Sequence, residues 1–204
     1  MVRDTFRVRW PARGDSPVRV DGKTASRFRF MRIVQLLENR KDLAVDDMKS
    51  MLADTTSLLA RKFLPEYLRV LKGSKHPRAR EALARLEKWD GSMDRALTAP
   101  TIFHKITMDF MLHTLADQMG EDLAMKYLAD WYLAQNRWVR MMETGSPEWF
   151  DDISTPRRET KEDMLLRAFD TALAWCEDRY GANMDTWAWG RVHRITYSHT
   201  PMGK

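Results

Sequence analysis

From about residue 26 onward, apolar side chains return every three or four positions, the spacing that lines one face of a helix. Phe30, Ile33, Val34 and Leu37 share such a face, and Ser26 is placed to cap a helix running through Glu38. A turn at 39–42 leads into a longer predicted helix. Asp46 and Asp47 suit the positive end of its dipole, and Met48, Met51, Leu52, Leu58, Leu59 and Phe63 keep broadly to helical spacing. Pro65 predicts a kink or restart there, because it has no amide hydrogen for the preceding turn. Gly73 and Pro77 then introduce a helix to Trp89, closed by Gly91.

The second half continues in the same style. Thr98 and Pro100 open a helix to about Leu115, and Gly120 divides it from another that runs to about Met142. "TGSPEWFDDISTP" reads as a loop pinned by two aromatics. Thr160 and Asp163 have capping-box spacing, which starts a helix to Tyr180 that ends at Gly181 in the left-handed region. After Gly190 the apolar positions alternate, as in a strand.

The pattern divides the chain into three parts: a looped or extended arm at 1–25, a helical domain at 26–186, and an aromatic corner with a strand-like tail at 187–204. The predicted class is mainly α, an irregular helical domain with short strand-like termini. At 204 residues, 44% hydrophobic and 31% charged, the chain suits one substantial core and not a disordered polymer. No apolar run is long enough for a membrane span, and the lone Cys176 excludes an internal disulfide framework.

Charge changes the picture at one end only. The first 32 residues carry nine basic side chains against Asp4, Asp15 and Asp21, so the net charge of +5 leaves the remainder at −1. Residues 3–32 could therefore bind nucleic acid, or pair with acidic groups on a partner. The aromatics interleaved there (Phe6, Trp10, Phe28, Phe30) suit packing as well as base stacking.

The chemical inventory is thin. Phosphate-binding glycine motifs, HExxH and paired CxxC are all missing, and no cofactor is implied. His193 and His199 would share one face of a strand, but two histidines without a further ligand make a weak metal site. His104 and His113 read as structural or exposed. Asp151 and Asp152 are adjacent loop acids suited to capping, and the methionines suit core filling. On these residues alone the chain is a helical domain of undetermined purpose, whose tail fits a metal site, a nucleic-acid surface or the stub of a sheet.

A resemblance takes the reading further. "SRFRFMRIVQLLENRKDLAVDDMKSMLADTTSLLARKFLPEYLRVL" resembles the penicillin acylase (penicillin amidase) family of N-terminal-nucleophile hydrolases. Arg29, Arg32–Ile33, Leu36–Leu37, Leu43, Asp46–Asp47, Asp54 and Leu64–Pro65 stand in that family's order. Leu86, Trp89, Asp90 and Gly91 are similar to its Leu-x-x-Trp-Asp-Gly ending, and "WAWGRVHRITYSH" to its Trp-x-Trp-Gly-x-x-His signature.

The resemblance implies an internal helical segment of an αββα hydrolase that cleaves N-acyl amide bonds: a β-lactam side chain, an acyl-homoserine lactone, or a related N-acylated small molecule. It also implies the remaining segments of the parent hydrolase as partners, with neither a specific nucleic acid nor a membrane. Members of the family are commonly periplasmic or extracellular. Trp187 and Trp189 would close the last helix, His193 and His199 would be structural, and the tail would begin a strand. Arg29 matches the family's arginine beside the active site, which helps order the oxyanion asparagine and the substrate; on the residues alone it is one more solvated arginine.

The departures are equally specific. The chain opens Met1-Val2 where the mature family exposes a nucleophilic serine, and Ser92, Ser146 and Ser198 lack the asparagine that often follows it. Asn39, Asn136 and Asn183 all lie downstream of Arg29, whereas the family's oxyanion asparagine lies upstream. The chain by itself is therefore expected to be inactive. Ala44 replaces the usual capping threonine of the second helix.

Overall fold

The computed structural model describes residues 27–38, 40–145 and 147–197. The whole arm at 1–25 and the Ser26 cap lie outside them. The described chain is helical: α1 (Arg27–Leu37), α2 (Val45–Leu52), α3 (Leu58–Leu71), α4 (Ala79–Glu87), α5 (Ala99–Met119), α6 (Glu121–Ala129), α7 (Trp131–Thr144), α8 (Pro147–Phe150), α9 (Lys161–Tyr180), a 3-10 turn (Met184–Trp187) and α10 (Trp189–Val192).

The 21-residue α5 is the axis of the fold. Ile102, Phe103, Ile106, Phe110, Met111 and Leu115 are all buried, so apolar residues surround the helix instead of forming one stripe. Such a helix must be enclosed. It packs most extensively on α9, with α6, α4 and α8 on its other sides. The α9 side supplies Met164, Leu165, Ala168, Phe169, Leu173 and Cys176. α3 also packs on α9, and its Tyr67 is fully buried with its hydroxyl 3.0 Å from Thr107 Oγ1.

Three boundaries differ from the periodicity. The segment expected as one helix from Asp46 to Phe63 breaks at 53–57, because Asp54, Thr56 and Ser57 offer side-chain bonds that compete with helix. Ser57 caps α3 by accepting the Ala60 amide at 3.1 Å. α3 then passes through Pro65 without restarting. Phe63, Leu64 and Tyr67 are buried on either side, and packing of this kind outweighs one missing backbone bond. Between Gly120 and Thr144 the chain turns at Asp130 with no Gly or Pro to announce it. The turn lets α7 set Trp138 against Phe63, with ring centroids 4.7 Å apart.

Other signals correspond closely. Thr160 Oγ1 accepts the Asp163 amide at 3.2 Å, and Asp163 accepts the Thr160 amide at 3.0 Å. At α2 only half of such a box exists: Asp47 accepts the Ala44 amide at 2.9 Å, but alanine has no oxygen to accept in return. Gly181 ends α9 with a φ of 86° and an extended ψ of 172°, a conformation that glycine tolerates but that is not the left-handed helical one expected.

The tail requires a correction. Trp189–Val192 forms one turn of helix, and no strand occurs among the described residues; the one β-bridge there joins Thr56 to Ser92. Alternation after Gly190 misled because the close approach of the backbone to residues 95–97 curls the chain. Trp189 and Gly190 donate their amides to Leu97 O at 2.8 Å and Arg95 O at 2.9 Å.

Candidate functional site

α1 carries Arg29 on an outer flank. Phe28 is buried, its ring edge-on to Phe63 at 6.3 Å, while Arg29 is exposed and makes no ion pair among the described residues. Around it Phe30, Met31, Ile33 and Leu37 remain exposed, as do Leu43, Val45, Met48 and Leu52 on and just before α2. Leu52 is 88% exposed. So many exposed large apolar side chains along two successive helices are unusual for a surface that meets only water.

Beneath that surface the structure brings together residues far apart in sequence. Arg32 grips Asp54 in a fork, with Nε 2.9 Å from Oδ1 and Nη2 2.7 Å from Oδ2. The paired guanidinium, assisted by the Thr56 amide and hydroxyl, holds the Asp54 carboxyl down at about 2. Thr56 bridges to Ser92: Ser57 donates its amide to Gly91 O at 2.8 Å, and Met93 donates to Thr55 O at 3.0 Å.

The Trp89-Asp90-Gly91 turn closes the network. Trp89 Nε1 donates to Ser92 O at 2.6 Å, Asp90 Oδ1 accepts the Ser92 amide at 2.9 Å, and Arg61 Nε donates to Asp90 O at 2.7 Å. Gly91 has a φ of +86°, and a side-chain carbon there would stand 2.9 Å from Arg61 Cγ. Glycine is therefore required on two counts. Order along the chain singled out Arg32, Asp54 and Trp89–Gly91, but not that they form one network. A cleft of about 230 Å³ lies on the far side of the Trp89 turn, lined by Arg85, Lys88, Trp89, Asp90, Leu97, Thr98 and Ala99. α1 does not line it.

The other candidate residues serve the fold. Asp152 accepts from the Ser154 amide and hydroxyl and from Arg167, and these bonds lower its pKa. Asp151 accepts the Glu159 amide at 3.0 Å, so the two acids hold different loop atoms and do not converge. His113 lies 3.2 Å from Thr171 Oγ1. Asn183 caps the 3-10 turn by accepting the Asp185 amide at 3.0 Å. Ser92 sits in the bridge, while Ser146, Ser198, Asn39 and His199 lie outside the described residues. Among the described residues no three metal-binding side chains converge.

At the aromatic corner Trp187 is fully buried and its Nε1 donates to Gly181 O at 2.8 Å, closing the end of α9. Trp189 turns instead to α5, where it stacks on His104 and also on His193.

Comparison with known proteins agrees with these motifs. The family model described as penicillin amidase matches residues 7–203. An acyl-homoserine lactone acylase QuiP of Pseudomonas aeruginosa is 26% identical over 182 residues, covering 81% of this chain and 21% of that protein. Its counterparts in Pseudomonas syringae pv. syringae (24%; 86% and 23% covered) and Pseudomonas putida (25%; 83% and 23% covered) are similar over 197 residues. The chain spans about one fifth of the length of these relatives. A match that runs almost end to end, over a chain whose Arg32, Asp54 and Trp89–Gly91 motifs close into one network, means that the chain belongs to the penicillin amidase family.

Proposed function

We propose that the chain is a helical segment of an αββα amide hydrolase that removes acyl groups from N-acylated small molecules, acyl-homoserine lactones foremost. The observation that carries this reading is the end-to-end family match, taken with relatives named acyl-homoserine lactone acylases. The exposed apolar face of α1 and α2 supports it, as the face against which the remaining segments of the hydrolase pack.

In this reading a serine outside the 204 residues attacks the amide carbonyl, with its own free amine as base. Oxyanion donors stabilise the charge that develops, and water then hydrolyses the acyl-enzyme. Arg29 projects from α1 beside that centre, where a fixed positive charge orders the oxyanion donor and the substrate. Neither the sequence relatives nor the polar network favours nucleic-acid binding through residues 3–32.

The test is to express the longer polypeptide that contains this segment and assay it with N-acyl-homoserine lactones and phenylacetyl amides. The expected result is hydrolysis that Arg29→Gln reduces sharply. A folded, full-length protein that hydrolyses neither substrate class would overturn the proposal.

A further inference from the structure

Among the described residues, α1 is anchored chiefly through a few contacts. It has 11 residues, no acidic side chain in its first turn and no basic one in its last, and Phe28 is its sole fully buried residue. A helix this short is marginal in water, so its position depends on its anchors. Two anchors sit at its beginning: Phe28 against Phe63, and Arg27 with Glu143, which also pairs with Lys62. The third is Arg32, one turn beyond Phe28 on the same face.

The bond Arg32 makes is of the kind that fixes orientation as well as distance. A planar guanidinium using two nitrogens on both oxygens of a carboxylate tolerates little rotation, unlike a lysine ammonium. Asp54 is itself immobilised by Thr56, whose amide and hydroxyl lie 3.3 and 3.1 Å from the carboxylate, and Thr56 is bridged to Ser92 beside buried Trp89. The chain of contacts thus runs from the core through a pinned loop to the middle of α1. Arg29 lies one turn before Arg32, on the adjacent row of the helix surface.

We propose that Arg32 and Asp54 are positioning residues, whose paired hydrogen bonds set the rotation and register of α1 and hence the point from which Arg29 projects. The inference rests on the reading of Arg29 as a site residue. The pair is partly buried, its side chains 24% and 18% exposed, and it ties α1 to the 53–57 loop and not to the core helices, so its effect falls on the placement of α1.

The experiment uses Arg32→Lys and Asp54→Asn, each in two settings. In the 204-residue chain, spin labels on cysteines introduced at positions 29 and 80 report how far α1 stands from α4. Both variants should broaden or shift that distance distribution while the melting temperature stays within a few degrees of the parent. An unchanged distribution, with or without a lower melting temperature, overturns the proposal. In the longer hydrolase both variants should lower kcat on the order of 10- to 100-fold, the effect of displacing a catalytic group by about an ångström, with KM little changed. Full kcat despite a displaced position 29 also overturns it. A parent hydrolase with no activity refutes the proposed function instead, and the label distances then decide whether the pair sets α1.

Discussion

His104 and Trp189 stack with ring centroids 5.1 Å apart and planes 27° from parallel, and His193 stacks on the same indole at 4.7 Å and 10°. The indole thus contacts two imidazoles, one from α5 and one just beyond α10. Burial, and then the charge of His193, push the His104 pKa down to about 4.

That arrangement predicts an acid-sensitive corner. His104 is harder to protonate folded than unfolded, so its neutral form contributes fully above the unfolded value of about 6.5, and stability falls as pH drops towards about 4. The loss should approach about 3 kcal/mol, reduced somewhat because an imidazolium on an indole face gains about 1 kcal/mol. Denaturant melts at pH 7.5 and 4.5 should show it, and His104→Gln should flatten the dependence. A parent protein equally stable at both pH values would show that the stack does not suppress protonation.

Truncating Trp187 should be far more damaging than truncating Trp189. Trp187 is fully buried and loses both packing and its bond to Gly181 O, so Trp187→Ala should cost about 3–5 kcal/mol. Half-buried Trp189 surrenders chiefly its two stacking contacts. Equal losses in urea unfolding would contradict this division of roles.

Gly190→Ala tests how closely the corner approaches the loop before α5. In an ordinary helical turn alanine would stabilise by about 1 kcal/mol. Here its Cβ would stand 2.9 Å from Arg95 Cβ and 3.2 Å from Arg95 O, neither of which can swing aside cheaply. A destabilisation of about 1–3 kcal/mol is expected, measured by chemical denaturation. A stabilised variant would place the corner farther from Arg95.

Cys176 should be silent towards thiol reagents in the native state. It is fully buried on α9, and burial pushes its thiol up to about 12, so almost no thiolate exists at pH 8. Titration with a disulfide reagent should give no rapid reaction until guanidinium is added. Rapid labelling without denaturant would mean that the α5–α9 interface opens readily.

On the proposed reading, the nucleophilic serine and oxyanion donors come from outside the 204 residues. The isolated chain should then leave penicillin G, phenylacetyl amides and acyl-homoserine lactones intact, since acyl transfer without them loses most of its acceleration. Turnover abolished by replacing a single serine within the chain would reverse that expectation.

Local chemistry was legible in the chain itself. The Thr160–Asp163 capping box, the glycines that close α5 and α9, and the apolar faces of α3, α5 and α9 all follow from spacing that acts over one or two helical turns. The family was legible for a related reason: its motifs are short, ordered runs such as Arg32–Ile33 and Trp89–Gly91. Whatever depends on contacts between distant residues was not. Local side chains break the helix at 53–57, but the loop sits where it does because Thr56 pairs with Ser92. The turn at Asp130 exists because Trp138 packs on Phe63, and the helical end of the tail because Gly190 meets Arg95. Arg29 marks the boundary between the two kinds of information. Its register is readable from the leucines that follow it, but its place in space depends on Phe28 meeting Phe63 and on Arg32 reaching a carboxylate 22 residues away. Periodicity carries no term for such meetings, and three-dimensional packing alone selects among the many that helices of this kind could make.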